Sequence, residues 1–367
     1  MKITEIETFA NEFVCFVRVT AENGAQGWGQ VAPYYADITA QVVQRQVAPY
    51  ALGQDALDID HLMDIIPEKE HKFPGSYLRR AMGGLDTALW DLRGKMVGKP
   101  VCELIGGSPG KVRAYASSMK RDITPRDEVD RLCRLRDEQG FDAFKFRIGA
   151  ECGRGQDEWP GRTEEIVPAM HKAMGDDIVL LVDANSCYAP GQAIEIGKML
   201  EQNGVSHFEE PCPYWEYEQT KHVTEALGID VTGGEQDCEL QNWRHMIDWR
   251  VVDIVQPDVC YLGGLTRTLR VADMAHKADL PCTPHCANLS MVTLFTMHLL
   301  RAIPNAGKYL ELSIEKEDYY PWQYDLFVTS PYDINAGHAT VTATPGWGVE
   351  INPDWLEKSQ HMSSKLF

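Results

Sequence analysis

The chain has 367 residues, enough for a barrel of roughly 250 residues and a smaller companion unit. Its 35 Lys and Arg face 54 Asp and Glu, a formal net charge of −19, which disfavours nonspecific binding to nucleic acid or an anionic membrane and obliges any small anionic substrate to find local cations. Ten cysteines without Cys-x-x-Cys spacing, no cleavable leader pattern and no apolar run of membrane-spanning length predict a cytoplasmic protein with free thiols.

Residues 1–110 lack a repeating unit and predict strands over 2–9, 14–21 and 26–31, then helices near 38–48 and 79–97. From residue 111 a βα alternation sets in. Strands over 112–117 and 141–148 flank a helix that Thr124-Pro125 opens and Gly140 closes, with Val129, Leu132 and Cys133 at helical spacing. In the second of these strands Phe144, Phe146 and Ile148 alternate with Lys145 and Arg147, so both cations share one face. In a parallel barrel whose outside is covered by helices, that face is the interior.

The next strands, 178–182, 205–208 and 230–234, lead into Asp183, Glu209 and Glu235 at a constant interval of 26 residues. Runs over 251–256, 280–284 and 308–312 continue the series and bring Asp258, His285 and Glu311. The predicted architecture is a (β/α)8-type barrel over 111–320, carrying its polar residues at the carboxyl ends of its strands. The region 1–110 forms an α+β cap, and the tail 321–367, strand-like at 339–344, is expected to pack back on it.

A single acid of this kind is more often a solvated loop residue, and a single histidine a surface or satisfied core residue. Three acids on three successive parallel strands, however, converge on one place and suit one hard divalent cation, magnesium above all. Gly233-Gly234 and Gly263-Gly264 lack the spacing of phosphate loops and read as turns. Cys286 reads as a buried inert thiol. Trp322 and Gly346-Trp347-Gly348 read as packing aromatics, against the alternative of a carbohydrate-binding module.

The ordered set comprises Ala81 to Asp91 (Ala-x-x-Gly-Leu-Asp-x-Ala-Leu-Trp-Asp), Gly94-Lys95, Leu104 to Gly107, Asp183-Ala184-Asn185, Glu209-Glu210-Pro211, Gly234-Glu235, Pro257-Asp258, His285 and Glu311. It resembles the enolase superfamily, mandelate racemase subgroup, over nearly the whole chain. The resemblance implies a modified (β/α)7β TIM-type barrel with a capping domain, and a homo-oligomer. It implies Asp183, Glu209 and Glu235 as magnesium ligands, His285 paired with Asp258 as general base, Glu311 as hydrogen-bond donor to the substrate carboxylate, and Lys145 neutralising an enediolate.

One position departs from the family's commonest pattern, Lys-x-Lys on the second strand, because Lys145-Phe146-Arg147 stands there. Arginine, with a pKa above about 12, is a poor proton acceptor. Two-base racemisation thereby loses a candidate base, and one-face syn dehydration of an acid sugar by His285 gains. Epimerisation or lactone cycloisomerisation through the same enediolate is the alternative. Arg147 remains a candidate base or substrate contact, and Asn185 a further substrate contact. Segments 20–29 and 69–77 are candidate lids, in which His71 and Lys72 are expected to meet the distal carboxylate of an aldarate such as galactarate.

Overall fold

A computed structural model describes residues 1–366. The alternating N-terminal segments become an antiparallel meander of β1 (Ile3–Ala10), β2 (Cys15–Ala21) and β3 (Gln26–Gln30). Segment 20–29, expected as a lid, is therefore a regular hairpin of this sheet. The helix Ser76–Val97 lies against the meander so closely that a Cβ on Gly29 would stand 2.4 Å from the backbone nitrogen of Ala88. Only glycine allows that approach. The buried Asp91 carboxylate ties three segments together, accepting the backbone N–H of Trp28 at 2.8 Å and of Trp347 at 2.9 Å from its own helix. The helix expected at 38–48 is instead Ala36–Val42, a π-helical turn over Val43–Val47 and a short piece Ala48–Ala51 with Pro49 in its first turn.

The barrel strands are β4 (Gly110–Ser117), β5 (Ala143–Arg147), β6 (Val179–Asp183), β7 (Val205–Glu209), β8 (Asp230–Gly233), β9 (Ile254–Val255) and β10 (Leu310–Ser313). They pair in the order β10-β4-β5-β6-β7-β8-β9, all parallel. Helices return the chain between them, as the first does from its Thr124 cap, whose hydroxyl accepts the Asp127 N–H, to the left-handed Gly140.

The strand expected at 280–284 shrinks to one residue. Cys282 bridges in parallel to Val255 on one side and to Ala306 on the other, and so closes the ring. Pro281 and Pro284 flank it and have no N–H to give a ladder, which is why a full strand does not form. The helix Met291–Leu300 follows this position, and β10 then leads into the tail without a barrel helix, giving the (β/α)7β arrangement. The fold is that of a modified TIM barrel with a capping domain.

The tail divides. β11 (His338–Val341) pairs antiparallel with the amino-terminal half of β4, where β10 does not reach, so the strand expected at 339–344 sits on the barrel and not on the cap. β12 (Gln360–Lys365) instead pairs along β1 and completes the capping sheet. Among the described residues no helix is long and apolar enough to cross a membrane.

Candidate active site

Strand register sets the site. Arg147 lies opposite Asp183, Asp183 opposite Glu209, and Glu209 opposite Thr232, two residues after which comes Gly234-Glu235. All are interior. Asp183 is 0% exposed, Glu209 2% and Glu235 6%, and Lys145 is fully buried on β5. Lys145 Nζ stands 2.9 Å from each oxygen of Glu209, 2.7 Å from Glu311 Oε1 and 3.7 Å from Asp183 Oδ2. Burial alone would lower its pKa, but Glu209 and Glu311 outweigh burial and hold the ammonium well above its ordinary range.

Glu311 shows the reverse balance. Burial would raise its carboxyl, yet Lys145 and His285 hold it below the usual range. It accepts from Ser117 Oγ at 2.8 Å and from the Cys286 N–H at 2.9 Å. Glu311 is thus an acceptor in both of these protein contacts.

His285 is held from behind. Its Nδ1 is 2.8 Å from Asp258 Oδ2, while Asp258 Oδ1 caps the helix Val259–Leu262 by accepting the N–H groups of Cys260 and Tyr261, both at 2.8 Å. That capping fixes the carboxylate and, through it, the ring. Nε2 is left facing the site, 3.5 Å from Glu235 Oε2. Burial would lower the His285 pKa, but Glu235, the hydrogen bond to Asp258 and Glu311 raise it to about 10, so the ring is an imidazolium while Glu235 faces it and becomes a base only when a cation on the carboxylates takes up that charge.

Arg147 donates from Nε to the Ser118 carbonyl at 3.0 Å and from Nη1 to Asn185 Oδ1 at 2.8 Å, and it ion-pairs with Asp183. A second guanidinium, missed in the sequence reading, converges on the same amide oxygen. Arg121 donates from Nη2 to Asn185 Oδ1 at 2.6 Å and from Nε to the Gly149 carbonyl at 3.0 Å. Its place in the loop after β4, at the carboxyl end of a barrel strand, was the one signal the sequence offered.

Comparisons with known proteins identify the family of the fold. Residues 2–106 match the family described as mandelate racemase / muconate lactonizing enzyme, N-terminal domain, and residues 127–355 match the one described as enolase C-terminal domain-like. The chain belongs to the enolase superfamily. This superfamily member is 29% identical to the arabinonate dehydratase of Saccharolobus solfataricus, over 93% of this chain and 88% of that one. It is equally 29% identical to the D-galactarolactone cycloisomerase of Agrobacterium fabrum, over 93% and 89%. A solved structure from Roseobacter denitrificans, provisionally called a racemase, is 69% identical with a TM-score of 0.99 over 100% of both chains. A mandelate racemase/muconate lactonizing protein from Paracoccus denitrificans PD1222, solved with magnesium, is 29% identical with a TM-score of 0.89 over 99% of this chain and 98% of that one.

In this enolase-superfamily chain the donor set fits a magnesium ion. The three buried groups are carboxylates, the hard oxygen ligands that ion takes. Asp183 Oδ2 makes no hydrogen bond and is met only by the Arg147 and Lys145 cations, and the neighbouring buried Glu210 Oε1 is unpartnered. An unpartnered buried carboxylate oxygen is a place where a cation is wanted. As the side chains stand, they turn to protein cations instead, Glu209 to Lys145 and Glu235 to His285. Accordingly, among the described residues no three His, Cys, Asp or Glu side chains gather closely enough to hold an ion.

His71 and Lys72 are not brought to the site. Both are exposed in the turn between the helices Ile59–Lys69 and Ser76–Val97, and the His71 ring meets only the Glu68 carbonyl, at 3.1 Å. What the cap does present is a cavity of about 250 Å³ lined by Tyr34, Tyr35, Tyr77, Arg80 and Tyr261. Tyr261 links it to the chemistry, its ring 5.9 Å from that of His285. A separate cavity of about 340 Å³ lies among Tyr115, Leu181, His207, Gln256 and Tyr309 and includes none of the three acids.

Proposed function

We propose that the chain is a magnesium-dependent carbon–oxygen lyase that dehydrates an acid sugar to its 2-keto-3-deoxy product. The carrying observation is that proton-transfer capacity is one-sided. His285 with Asp258 is a complete base, while Arg147, in the position where a second base would stand, is a guanidinium engaged by Asp183 and Asn185. Named relatives that are dehydratases of arabinonate, D-xylonate, D-gluconate and D-galactonate, at 26–29% identity, support a hydro-lyase.

The residues divide the work. His285 Nε2 takes the proton α to the carboxylate, and the electron pair moves onto the carboxylate to give an enediolate. Lys145 stands beside the carboxylate cluster to meet that added charge in a site closed to water. Magnesium held by Asp183, Glu209 and Glu235 would supply the fixed double charge that makes this proton removable. The enediolate then expels the β-hydroxyl, which leaves as water with the proton returned by the His285 imidazolium. The resulting enol tautomerises to the 2-keto acid.

Cycloisomerisation or epimerisation starts with the same abstraction, and the Agrobacterium and Roseobacter relatives support it as the second reading. Proton NMR in D2O with magnesium, run over a library of aldonic and aldaric acids, separates the two. A 2-keto-3-deoxy product establishes the lyase. Deuterium entering recovered or isomerised substrate without loss of water overturns it.

A further inference from the structure

The barrel interior is not filled below the carboxylates. Two residues before Asp183, Glu209 and Glu311 along the chain stand Leu181, His207 and Tyr309, which therefore share the inward face one layer down. A barrel of this kind packs that layer with bulky branched side chains. Here β5 contributes only the methyl of Ala143, and the apolar cluster is confined to Tyr115, Ala143, Leu181 and Tyr309 with Val179 against it. The cavity of about 340 Å³ lies in this layer. It reaches the amino-terminal ends of the strands, where Asp230, Pro281 and Lys308 are exposed, so it opens on the end of the barrel opposite the chemistry.

Three polar atoms of its lining residues have no hydrogen-bond partner among the described residues, namely Tyr309 Oη, Thr232 Oγ1 and Gln256 Oε1. Their residues are only 4%, 2% and 4% exposed, so bulk water does not serve them. The Gln256 amide is oriented from above. Its Nε2 donates to Glu209 Oε2 at 2.9 Å, and since an ionised carboxylate only accepts, the oxygen is the end left over. The rest of the wall is mainly apolar, including the rings of Tyr115 and Tyr309, edge to face at 6.5 Å. A few convergent polar groups in a concave apolar wall are what a small-molecule site requires.

We propose that this cavity is a ligand site, distinct from the catalytic centre, for a small neutral ring compound that carries a hydroxyl group, of the phenol class. Size and chemistry agree. A cavity of about 150 Å³ already admits benzene, so this one has room for a substituted ring. Gln256 Oε1 needs a donor, whereas the Thr232 and Tyr309 hydroxyls can give or accept, and one hydroxyl group answers both needs. A carboxylate has no proton for Gln256 and meets the charge of Glu209 just beyond it. The two tyrosine rings favour an aromatic body. An occupant bonded to Gln256 is one side chain away from Glu209, so it is within reach of the carboxylate set without entering the substrate's space. The proposal does not depend on the lyase reading.

Fluorine NMR titration of the magnesium-loaded protein with 4-fluorophenol, fluorobenzene and 4-fluorobenzoate tests it. The phenol should bind with a Kd of about 1 mM or less, at least about tenfold more tightly than either of the others. Thr232→Val and Tyr309→Phe should each cut its advantage over fluorobenzene by about threefold or more, and Ile254→Phe, which fills the cavity, should abolish binding. Failure of all three probes to bind at about 10 mM means a cavity that holds water only and overturns the site. Equal affinity for 4-fluorophenol and fluorobenzene overturns it too, as does binding that survives Ile254→Phe. Should Ile254→Phe not fold, an unchanged ratio in both Thr232→Val and Tyr309→Phe overturns it.

Discussion

At the scale of single residues, His285 and Lys145 carry different kinds of load. His285 contacts the carboxylate set only at Glu235, at 3.5 Å, and its other nitrogen is committed to Asp258. His285→Asn should therefore lower turnover by about 10³-fold and abolish solvent deuterium exchange at the α-carbon, with magnesium affinity unchanged by calorimetry. Substantial remaining exchange would move the base to Lys145 or Arg147. Lys145 instead neutralises buried acids. Lys145→Met leaves Glu209 and Glu311 without their nearest cation and should destabilise the metal-free protein by about 3–5 kcal/mol in denaturant unfolding. Added magnesium should return more of that stability to the variant than to the native chain. Equal stability of the two metal-free proteins would mean that the acids are not relying on Lys145.

At the scale of elements, strand ends were legible and strand lengths were not. Asp183, Glu209 and Glu235 could be placed because an apolar run followed by an acid repeats at a fixed interval, which a barrel must show in its sequence. The seventh strand could not be sized, since Pro281 and Pro284 remove ladder donors from a run that otherwise looks like its neighbours. β12 was invisible because an exposed edge strand reading Gln-His-Met-Ser-Ser-Lys has no apolar alternation to betray it. The helix Met291–Leu300, buried along its whole length, hides a further feature. His298 is 2% exposed, its Nδ1 accepts the Cys102 N–H at 3.1 Å, and burial pushes its pKa down to about 4. With a folded value below the unfolded one near 6.5, the unfolded chain binds the extra proton between those values. Stability is then full above pH 6.5 and declines as pH falls toward 4, by on the order of 3 kcal/mol from this group. Urea unfolding across that window should show a shallower loss for His298→Gln than for the native protein, and parallel curves would remove His298 as a source of acid lability.

At the scale of the whole molecule, the cap is joined to the side of the barrel that carries the base. The helix Ser76–Val97 meets the segment after Asp258 through Trp90 Nε1, which donates to Thr266 Oγ1 at 2.9 Å, and β3 reaches the barrel through Gln30, which bonds Ser290 Oγ at 2.8 Å. None of these cross-links was readable from sequence, since each joins residues more than 170 positions apart. A shorter separation, 64 residues, hid the bond from Arg121 to the Asn185 amide. The strand β12 completes the capping sheet. β12 pairs with β1 from Glu5 opposite Lys365 to Ala10 opposite Gln360, so the capping sheet is completed by a strand remote from the site. A chain ended at Ser359 exposes the donors and acceptors of β1 as a bare edge. Its melting temperature should drop by about 5 °C, with faster amide exchange confined to β1 and β2 and unchanged exchange in β6 and β7. Activity should fall with the cap, because the cap forms the wall that Tyr34, Tyr35, Tyr77 and Arg80 present beside Tyr261. Exchange that quickens equally through the barrel would show cap and barrel to be one cooperative unit, with β12 stabilising both.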